Sequence, residues 1–385
     1  MKIAIITTQS GLSWAASEEL WYRAALYALA CKHSIVIGAF DWGGLPSKME
    51  YLQKQGAKIY KREPLDKKLK RTLFKKAAYK MLNKLCKFEI NKDFGFIIGE
   101  KPDVILINQG HIVEIAYNPE LWSILKQFPK KVSILSHSSA EHMILPEHIR
   151  NNLKEVISSI QCIFFVSERN KQNVMHQLAM RFSNSGIAVN PVNLDNHDPI
   201  EYPDIEKTIQ FASVGRLDST YKGQDLLFRI FHLDKWKDRN FHLNLYGEGE
   251  DKSYLMDLIH FYKLENKVTF HGHVDNIRDV WKINHLLLMP SFGEGMPLTL
   301  VEAMICCRPA IASDVGGNSE LVVNYKTGFL AEAPTINLFD AALELAWTNK
   351  GTWKEMGSNA SKLVKTKIVN EPGEVFFKQL VQSTS

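Results

Sequence analysis

The chain lacks the features that would point to a secreted or membrane-spanning protein. Its five cysteines include no CxxC pair and no even framework, so we interpret them as reduced thiols of a cytosolic protein. It has no run of 18 or more apolar residues, and the N-terminal "MKIAIITT" is too short and too polar for a signal peptide. We therefore expect a cytoplasmic protein without a transmembrane segment.

Low-complexity tracts and internal repeats are also absent, and the composition is that of a globular protein, 45% hydrophobic and 23% charged. A chain of 385 residues is longer than the chains that usually fold around a single hydrophobic core, so two domains are expected. Short β-branched segments alternate with helical stretches, which favours parallel sheets covered on both faces. The predicted strands of the first half are KIAIITT, HSIVIGAF, AKIY, DVILIN, KVSILS, CIFFVS and GIAVNPV, and those of the second are QFASVG, FHLNLYG, KVTFHG, HLLLMP and PAIAS.

These two sets of strands predict an α/β protein with two doubly wound, Rossmann-like domains. The first domain is expected over residues 1–195 and the second over residues 205–365. The polar, proline-bearing stretch 193–204 is the candidate linker. In such sheets ligands bind at the carboxyl ends of the strands, so the residues that follow strands are the first candidates for a site.

The net charge of +5 is unevenly distributed. Within the basic region 58–92, apolar residues recur at helical spacing and predict a cationic amphipathic helix over residues 65–87. Such a helix could bring the protein to an anionic membrane surface. The alternative is a helix packed on the core with a solvated lysine face. No nucleic-acid recognition motif accompanies the charge, so nucleic acid is not an expected partner.

The stretch PSFGEGMPLTLVEA, residues 290–303, is typical of an anion-binding turn between a strand and a helix. Gly293 and Gly295 allow a tight loop, and Pro297 suits the first position of the helix. The first-turn amides of a helix have no internal partners, and the helix dipole favours negative charge there. This stretch therefore predicts a phosphate site, flanked by the carboxylates of Glu294 and Glu302.

Two further loops after strands support that prediction. SVGRLDSTYKGQD places Arg216 just beyond a strand and Lys222 six residues later, and LYGEGE places Gly247 and Gly249 between a strand and a helix. Each loop alone is weak evidence, since a single Arg or Lys is more often a solvated surface group. Two cations beside an open helix N-terminus indicate a diphosphate.

These elements together resemble the retaining glycosyltransferases of family 4, which have the two-Rossmann GT-B fold. The Glu-x7-Glu hallmark of that family is matched by Glu294 and Glu302 within residues 290–322. Its G-R-L…K-G element is matched by Gly215, Arg216, Leu217, Lys222 and Gly223, and its Y-G-x-G element by Tyr246, Gly247 and Gly249. The resemblance implies two domains that face each other across a cleft, with a C-terminal helix within residues 366–385 that packs back on the first domain.

The resemblance also implies roles for single residues. Glu294 would face the transferred sugar and Glu302 the ribose hydroxyls, while Arg216 and Lys222 would neutralise the leaving diphosphate. His137, at a strand end in SILSHSS, would position the donor sugar; a purely structural histidine is the alternative. Gly11 occupies the first strand loop, which lacks the family's usual paired glycines. The predicted donor-binding set is Gly11, Gly215, Arg216, Lys222, Gly247, Gly295, Met296, Pro297, Leu298, Thr299 and Glu302.

We accordingly expect a metal-independent hexosyltransferase without a cofactor, whose co-substrate is a UDP- or GDP-linked sugar. The expected acceptor is a saccharide or lipid-linked saccharide in cell-surface polysaccharide assembly, with retention of anomeric configuration. Two alternatives stay open: a nucleotide-sugar epimerase of similar fold, and a catalytically inactive relative that only binds sugar. A nicotinamide-dependent oxidoreductase is disfavoured because no GxGxxG motif follows a strand.

Overall fold

The structure is a computed structural model that describes residues 1–8, 13–62, 86–139, 141, 143–194 and 196–382, without the side chains of residues 86–92. Gly11 lies outside these described residues, and so do residues 65–85 of the predicted cationic helix 65–87. The chain divides into two compact units. The first comprises residues 1–191 and 369–385, and the second comprises residues 192–368.

The first unit is built on a parallel sheet of seven strands in the order β3-β2-β1-β4-β5-β6-β7. All seven strands predicted for the first half of the sequence are present. The strands are β1 Lys2–Thr7, β2 Ser34–Phe40, β3 Lys58–Arg62, β4 Val104–His111, β5 Val132–Ser138, β6 Cys162–Phe165 and β7 Ser185–Ile187. The helices are α1 Glu19–Ala30, α2 Ser47–Lys54, α3 Cys86–Glu100, α4 Pro119–Leu125, α5 Glu147–Ser159 and α6 Glu168–Leu178.

The second unit has a parallel sheet of six strands in the order β10-β9-β8-β11-β12-β13. The strands are β8 Ile209–Val214, β9 Phe241–Tyr246, β10 Val268–Gly272, β11 Leu286–Met289, β12 Ala310–Ser313 and β13 Gly328–Ala331. The helices are α7 Ser219–Lys222, α8 Gln224–Phe231, α9 Asp234–Lys237, α10 Lys252–Tyr262, α11 Ile277–Ile283, α12 Leu298–Ile305, α13 Ile336–Thr348 and α14 Trp353–Lys365. The sequence predicted five of these strands and missed β13.

In both sheets the order in which the chain adds strands reverses near the middle. In the first unit the chain runs outward from β1 to β3 and returns to β4 on the other side of β1; β8 and β11 have the same relation in the second unit. The loops that leave the carboxyl ends of two such neighbouring strands diverge, and the crevice between them is the usual ligand site of a doubly wound sheet. Each unit therefore has its own candidate crevice, after β1 and β4 and after β8 and β11.

The last helix, α15 Pro372–Gln382, packs on α1 of the first unit. A Cβ on Gly373 would lie 2.5 Å from the carbonyl carbon of Arg23, so only glycine lets the two backbones approach this closely. The ring of Phe376 is buried edge-on against Phe164, with ring centroids 5.2 Å apart. The final segment of the chain thus completes the core of the first unit, as the apolar pattern of this segment favours.

Residues 200–202 of the candidate linker 193–204 pack within the second unit. The buried guanidinium of Arg308 donates to the carbonyl oxygens of Ile200, at 3.2 Å, and Glu201, at 2.7 Å. Tyr202 lies over the same guanidinium at 5.1 Å. These contacts attach residues 200–202 to Arg308 before β8 begins. Among the described residues, no helix is both long and apolar enough to cross a bilayer.

Candidate functional site

The loop between β11 and α12 has the tight geometry that its sequence predicts. A Cβ on Gly316, whose φ is +53°, would lie 2.2 Å from the carbonyl oxygen of Glu294, so the loop after β12 packs directly on this one. The amide of Gly317 donates to the carbonyl of Gly295 at 2.7 Å. Pro297 is the N-cap of α12 rather than its first residue, one position earlier than predicted. Two neighbouring loops at the carboxyl edge of the sheet therefore hold each other in place.

The N-terminus of α12 is open. In the part of the chain that the structure describes, no side chain caps this helix. Its first-turn amides, those of Leu298 and Thr299 among them, also lack a helical carbonyl one turn earlier to which they could donate. Their hydrogens and the helix dipole favour an anion at this end. The geometry that an anion site would need is therefore present at this turn, and binding of an anion there stays a prediction.

Glu294 and Lys222 form an ion pair that joins the loops after β8 and β11. The Lys222 Nζ donates to Glu294 Oε1 at 2.7 Å, and the hydroxyl of the fully buried Ser291 donates to the same oxygen at 2.7 Å. Glu294 is only 7% exposed, and within the described structure its Oε2 accepts no hydrogen bond. One carboxylate oxygen is thus held by the protein, which leaves the other to accept from a ligand.

Gly223 explains how these two loops come close enough for the pair. It ends α7 in the left-handed conformation with φ of +65°, and a Cβ there would lie 2.4 Å from the carbonyl oxygen of Pro290. The amide of Phe292 also donates to the carbonyl of Tyr221 at 2.8 Å. The K-G dipeptide therefore has a physical meaning: the glycine admits the neighbouring loop, and the lysine reaches across to it.

Arg216 is not part of this ion pair. Its guanidinium pairs with Asp218, the N-cap residue of α7, and its side chain is half exposed. Its carbonyl oxygen accepts from Gln224 Nε2 at 2.8 Å, which anchors the backbone of the loop. The structure therefore joins Lys222 to Glu294 directly, while Arg216 stands on the same loop with a separate acidic partner.

Glu302 lies in α12 and is 9% exposed. No cation or hydrogen-bond donor reaches its carboxyl group from the described residues, and burial raises its pKa from 4.5 to about 8. A buried carboxyl group without a partner is costly, because the charged form loses its hydration and gains nothing in return. Glu302 is therefore suited to accept hydrogen bonds from hydroxyl groups of a ligand.

Two of the predicted donor-binding glycines have a clear packing reason. Gly247, with φ of +126°, would place a Cβ 2.0 Å from the carbonyl oxygen of Gly215, which itself has φ of +153°. The loops after β8 and β9 therefore lie backbone against backbone, and no larger residue fits. Their contact with a donor stays a prediction.

His137 belongs to the first unit, on β5, and is 8% exposed. Its Nε2 lies 2.8 Å from Oδ1 of Asn108, the residue at which the predicted strand DVILIN ends. Burial lowers the pKa of the imidazole to about 3, so the ring is neutral at physiological pH. Sequence reasoning missed Asn108, Ser291 and the buried Glu18, although Asn108 ends the predicted strand DVILIN and Ser291 follows the end of β11.

No cluster of three or more His, Cys, Asp or Glu side chains that could hold a metal ion occurs in the described part of the chain.

Part of the chain is similar to known protein families. Residues 198–363 match the family described as glycosyl transferases group 1. An uncharacterized glycosyltransferase of Haemophilus influenzae is 31% identical over 159 residues, which are 41% of this chain and 44% of that protein. The UDP-Gal:alpha-D-GlcNAc-diphosphoundecaprenol alpha-1,3-galactosyltransferase of Escherichia coli is 33% identical over 128 residues, 32% of this chain and 31% of that protein. The matches therefore span less than half the length of these curated relatives.

Among solved structures, Anabaena HepE in complex with UDP matches 100% of this chain and 99% of its own, with a TM-score of 0.69 and 17% sequence identity. At this identity the likeness concerns the fold. The two parallel sheets and this likeness confirm the expected fold class, two Rossmann-like domains of the GT-B type.

Proposed function

We propose that this chain, which belongs to the glycosyl transferases group 1 family through residues 198–363, is a retaining hexosyltransferase. It moves a hexose from a nucleotide-diphosphate sugar to a saccharide or a lipid-linked saccharide in cell-surface polysaccharide assembly. The supporting observation is the Lys222–Glu294 pair at the crevice after β8 and β11. Beside it lie the open N-terminus of α12 and Glu302, whose carboxyl group has no partner among the residues that the structure describes.

The phosphate side of the donor would be held by positive groups of both loops. Breaking the anomeric C–O bond leaves negative charge on the departing diphosphate. The Lys222 ammonium carries three hydrogens, of which Glu294 accepts one, so it can also donate to a phosphate oxygen. Arg216 is half exposed and can leave Asp218 to do the same, and the amides at the start of α12 would donate to the remaining oxygens. This arrangement supports our proposal that transfer needs no metal ion and no cofactor.

The two carboxyl groups would hold the two sugars. Glu294 Oε2 would accept from a hydroxyl of the transferred hexose, since Lys222 and Ser291 already hold Oε1. Glu302 would accept from the ribose hydroxyls. Retention of configuration would follow if the acceptor attacks from the face on which the diphosphate leaves, where a phosphate oxygen can take the acceptor's proton.

The names of similar proteins guide the choice of substrates. The Anabaena structure contains UDP, and the name of the E. coli relative specifies a UDP-linked sugar and a diphosphoundecaprenol-linked acceptor. We therefore propose UDP ahead of GDP as the nucleotide, and a lipid-linked saccharide as the first acceptor to test. Action on such an acceptor fits a cytoplasmic enzyme at the inner membrane face. Membrane binding through residues 65–87 stays a prediction.

The proposal is tested in two steps. Thermal shift with UDP, GDP and ADP should identify the nucleotide, because a ligand at 100 times its Kd stabilises the folded state by about 2.7 kcal/mol. The matching nucleotide sugars are then incubated with acceptor in EDTA, and the products are identified by mass spectrometry. Transfer in EDTA is the expected result.

Other outcomes separate the alternatives. Interconversion of the nucleotide sugar without an acceptor would indicate an epimerase, and tight nucleotide binding without any product would indicate an inactive relative. Activity that is lost in EDTA and restored by manganese would overturn the metal-free mechanism.

A further inference from the structure

Glu18, which the nucleotide site does not use, is buried at the carboxyl edge of the first unit's sheet. It is 4% exposed and lies just before α1. Its Oε1 accepts from the Thr7 hydroxyl at 2.9 Å and from Asn108 Nδ2 at 3.1 Å, and its Oε2 accepts from Trp21 Nε1 at 2.7 Å. Three donors converge on one carboxyl group, so both of its oxygens act as acceptors.

Asn108 stands between Glu18 and His137 at the crevice of this sheet. It is fully buried on β4 and lies in register with Thr7 on β1, across the point where the sheet order reverses. Because its Nδ2 donates to Glu18, its Oδ1 faces Nε2 of His137 at 2.8 Å. Glu18 therefore determines which end of the amide meets the imidazole.

This orientation determines the tautomer of His137. An amide oxygen can only accept, so Nε2 must carry the hydrogen, and the neutral ring then has its lone pair on Nδ1. Nδ1 is buried and has no hydrogen-bond partner among the described residues. A buried acceptor without a donor is unfavourable, so Nδ1 is suited to a hydroxyl group that a ligand brings.

We propose that Asn108 and Glu18 are positioning residues that hold His137 with its hydrogen on Nε2, so that Nδ1 accepts a hydrogen bond from a sugar hydroxyl. This inference rests on the glycosyl transfer proposed above and on the role that the resemblance implies for His137, positioning of the donor sugar. Nδ1 is buried in the protein without ligand, so the atoms that shield it must move when the sugar binds. His137 then serves as an acceptor of fixed orientation rather than as a general acid.

The chain offers a variant that should reverse the tautomer without removing a side chain. In Glu18→Gln the oxygen must face Trp21, because the indole N–H can only donate. The new NH2 group then faces Asn108, whose amide must turn its oxygen toward it and its own NH2 toward His137. Nε2 becomes the acceptor, and the hydrogen of His137 moves to Nδ1.

The test measures the two ring nitrogens directly. 15N spectra of histidine-labelled protein distinguish a protonated from an unprotonated nitrogen, and His137→Ala identifies the signals among those of the 13 histidines. Wild type should have a protonated Nε2 and an unprotonated Nδ1, and Glu18→Gln the reverse. Asn184→Ala, which removes an asparagine at the opposite edge of the sheet, where its Nδ2 donates to Ile157 and Ile160, should leave the His137 signals unchanged.

Activity is measured on the same samples. Glu18→Gln should lower kcat about tenfold, the loss of one hydrogen bond in the transition state, and leave the affinity for free nucleotide unchanged. A wild-type hydrogen on Nδ1, or an unchanged tautomer in Glu18→Gln, would overturn the proposal. So would a reversed tautomer with full kcat, since Glu18 and Asn108 would then serve folding alone.

The spectra also separate this inference from the proposed function. If wild type has the expected tautomer but transfers no sugar, the glycosyl transfer is wrong and the positioning role fails with it. If wild type transfers sugar but has the other tautomer, only the positioning role fails.

Discussion

The Lys222 ammonium and the Glu294 carboxylate, 72 residues apart in sequence, meet at 2.7 Å between the loops after β8 and β11, where the strand order of the second sheet reverses. The pair neutralises a carboxylate that is 93% buried, while the lysine is 30% exposed on its other side. Each residue therefore has a structural partner as well as a proposed ligand. Variants at this pair must separate stability from activity.

We expect Lys222→Met to lower both. Turnover should fall by about 10²–10³, the usual cost of removing one group that stabilises developing charge. The free energy of unfolding should fall by about 1–3 kcal/mol, because Glu294 is left buried without its cation. Lys235→Met, which removes a lysine paired with Asp340 on the same unit, is the matched control and should keep turnover. The double variant Lys222→Met/Glu294→Gln no longer buries an unpaired charge, so it should regain stability but not activity. Recovered turnover in this double variant would exclude Lys222 from the phosphate site.

The two glutamates should differ in what they bind. Glu294→Gln should mainly lower turnover and preserve affinity for free nucleoside diphosphate, because in our proposal the free oxygen of Glu294 binds the transferred sugar and not the nucleotide. Glu302→Ala should weaken nucleotide about 10- to 150-fold, the loss of a charge-assisted hydrogen bond of about 1.5–3 kcal/mol. Calorimetric titration of both variants checks the prediction. The opposite pattern would reverse the two assignments.

Nucleotide binding should release a proton from Glu302. Burial raises the pKa of this carboxyl group to about 8, so at pH 7.5 it is mostly protonated in the free protein. Ribose hydroxyls that donate to it favour the charged form, which lowers the pKa and releases the proton. Titrations in two buffers of different ionisation enthalpy measure this release. The nucleotide's own phosphates contribute equally in Glu302→Gln, so equal release by wild type and variant would contradict the prediction.

Glu18 should make the protein less stable as pH rises. Burial, with a smaller effect of Glu114, raises its pKa to about 7 despite three hydrogen bonds. Between pH 4.5 and 7 the unfolded chain has lost this proton and the folded chain keeps it, so the free energy of unfolding falls with pH in that window. The difference between wild type and Glu18→Gln should change by about 2 kcal/mol from pH 5 to pH 7 and then stay level. His111 and His137, whose depressed pKa values destabilise the fold in acid, cancel in that difference. Denaturant titrations that show a constant difference would place the folded pKa of Glu18 near its ordinary value.

Gly247→Ala should destabilise the second unit. The new Cβ would lie 2.0 Å from the carbonyl oxygen of Gly215, and φ of +126° is strained for any residue with a side chain. We expect a loss of about 1–3 kcal/mol or more in unfolding free energy. Gly351→Ala, whose Cβ would meet nothing within 4 Å, should be nearly neutral and serves as the control. Equal stability of the two variants would contradict the close approach of the loops after β8 and β9.

One strand shows why periodicity alone was insufficient. Gly328–Ala331 forms β13, but its sequence is short and begins with glycine, which is typical of a turn. In the structure a Cβ at Gly328 would lie 2.1 Å from the carbonyl oxygen of Ala310 on the neighbouring strand. The glycine is there because the strands approach closely, and that contact involves a residue 18 positions away.

The amino-acid sequence by itself determined the alternating strands and helices, the two doubly wound domains, and the turn at residues 290–297, because these features depend on local periodicity and on glycine and proline. Only the tertiary structure decided that Lys222 pairs with Glu294, that Glu302 is buried with no partner in the described part of the chain, and that Glu18 reaches His137 through Asn108. Glu18 reads in sequence as an ordinary acid near a helix start. Sheet order brings distant strand ends together, and such a residue then fixes the orientation of a neighbouring amide and, through it, the position of a proton.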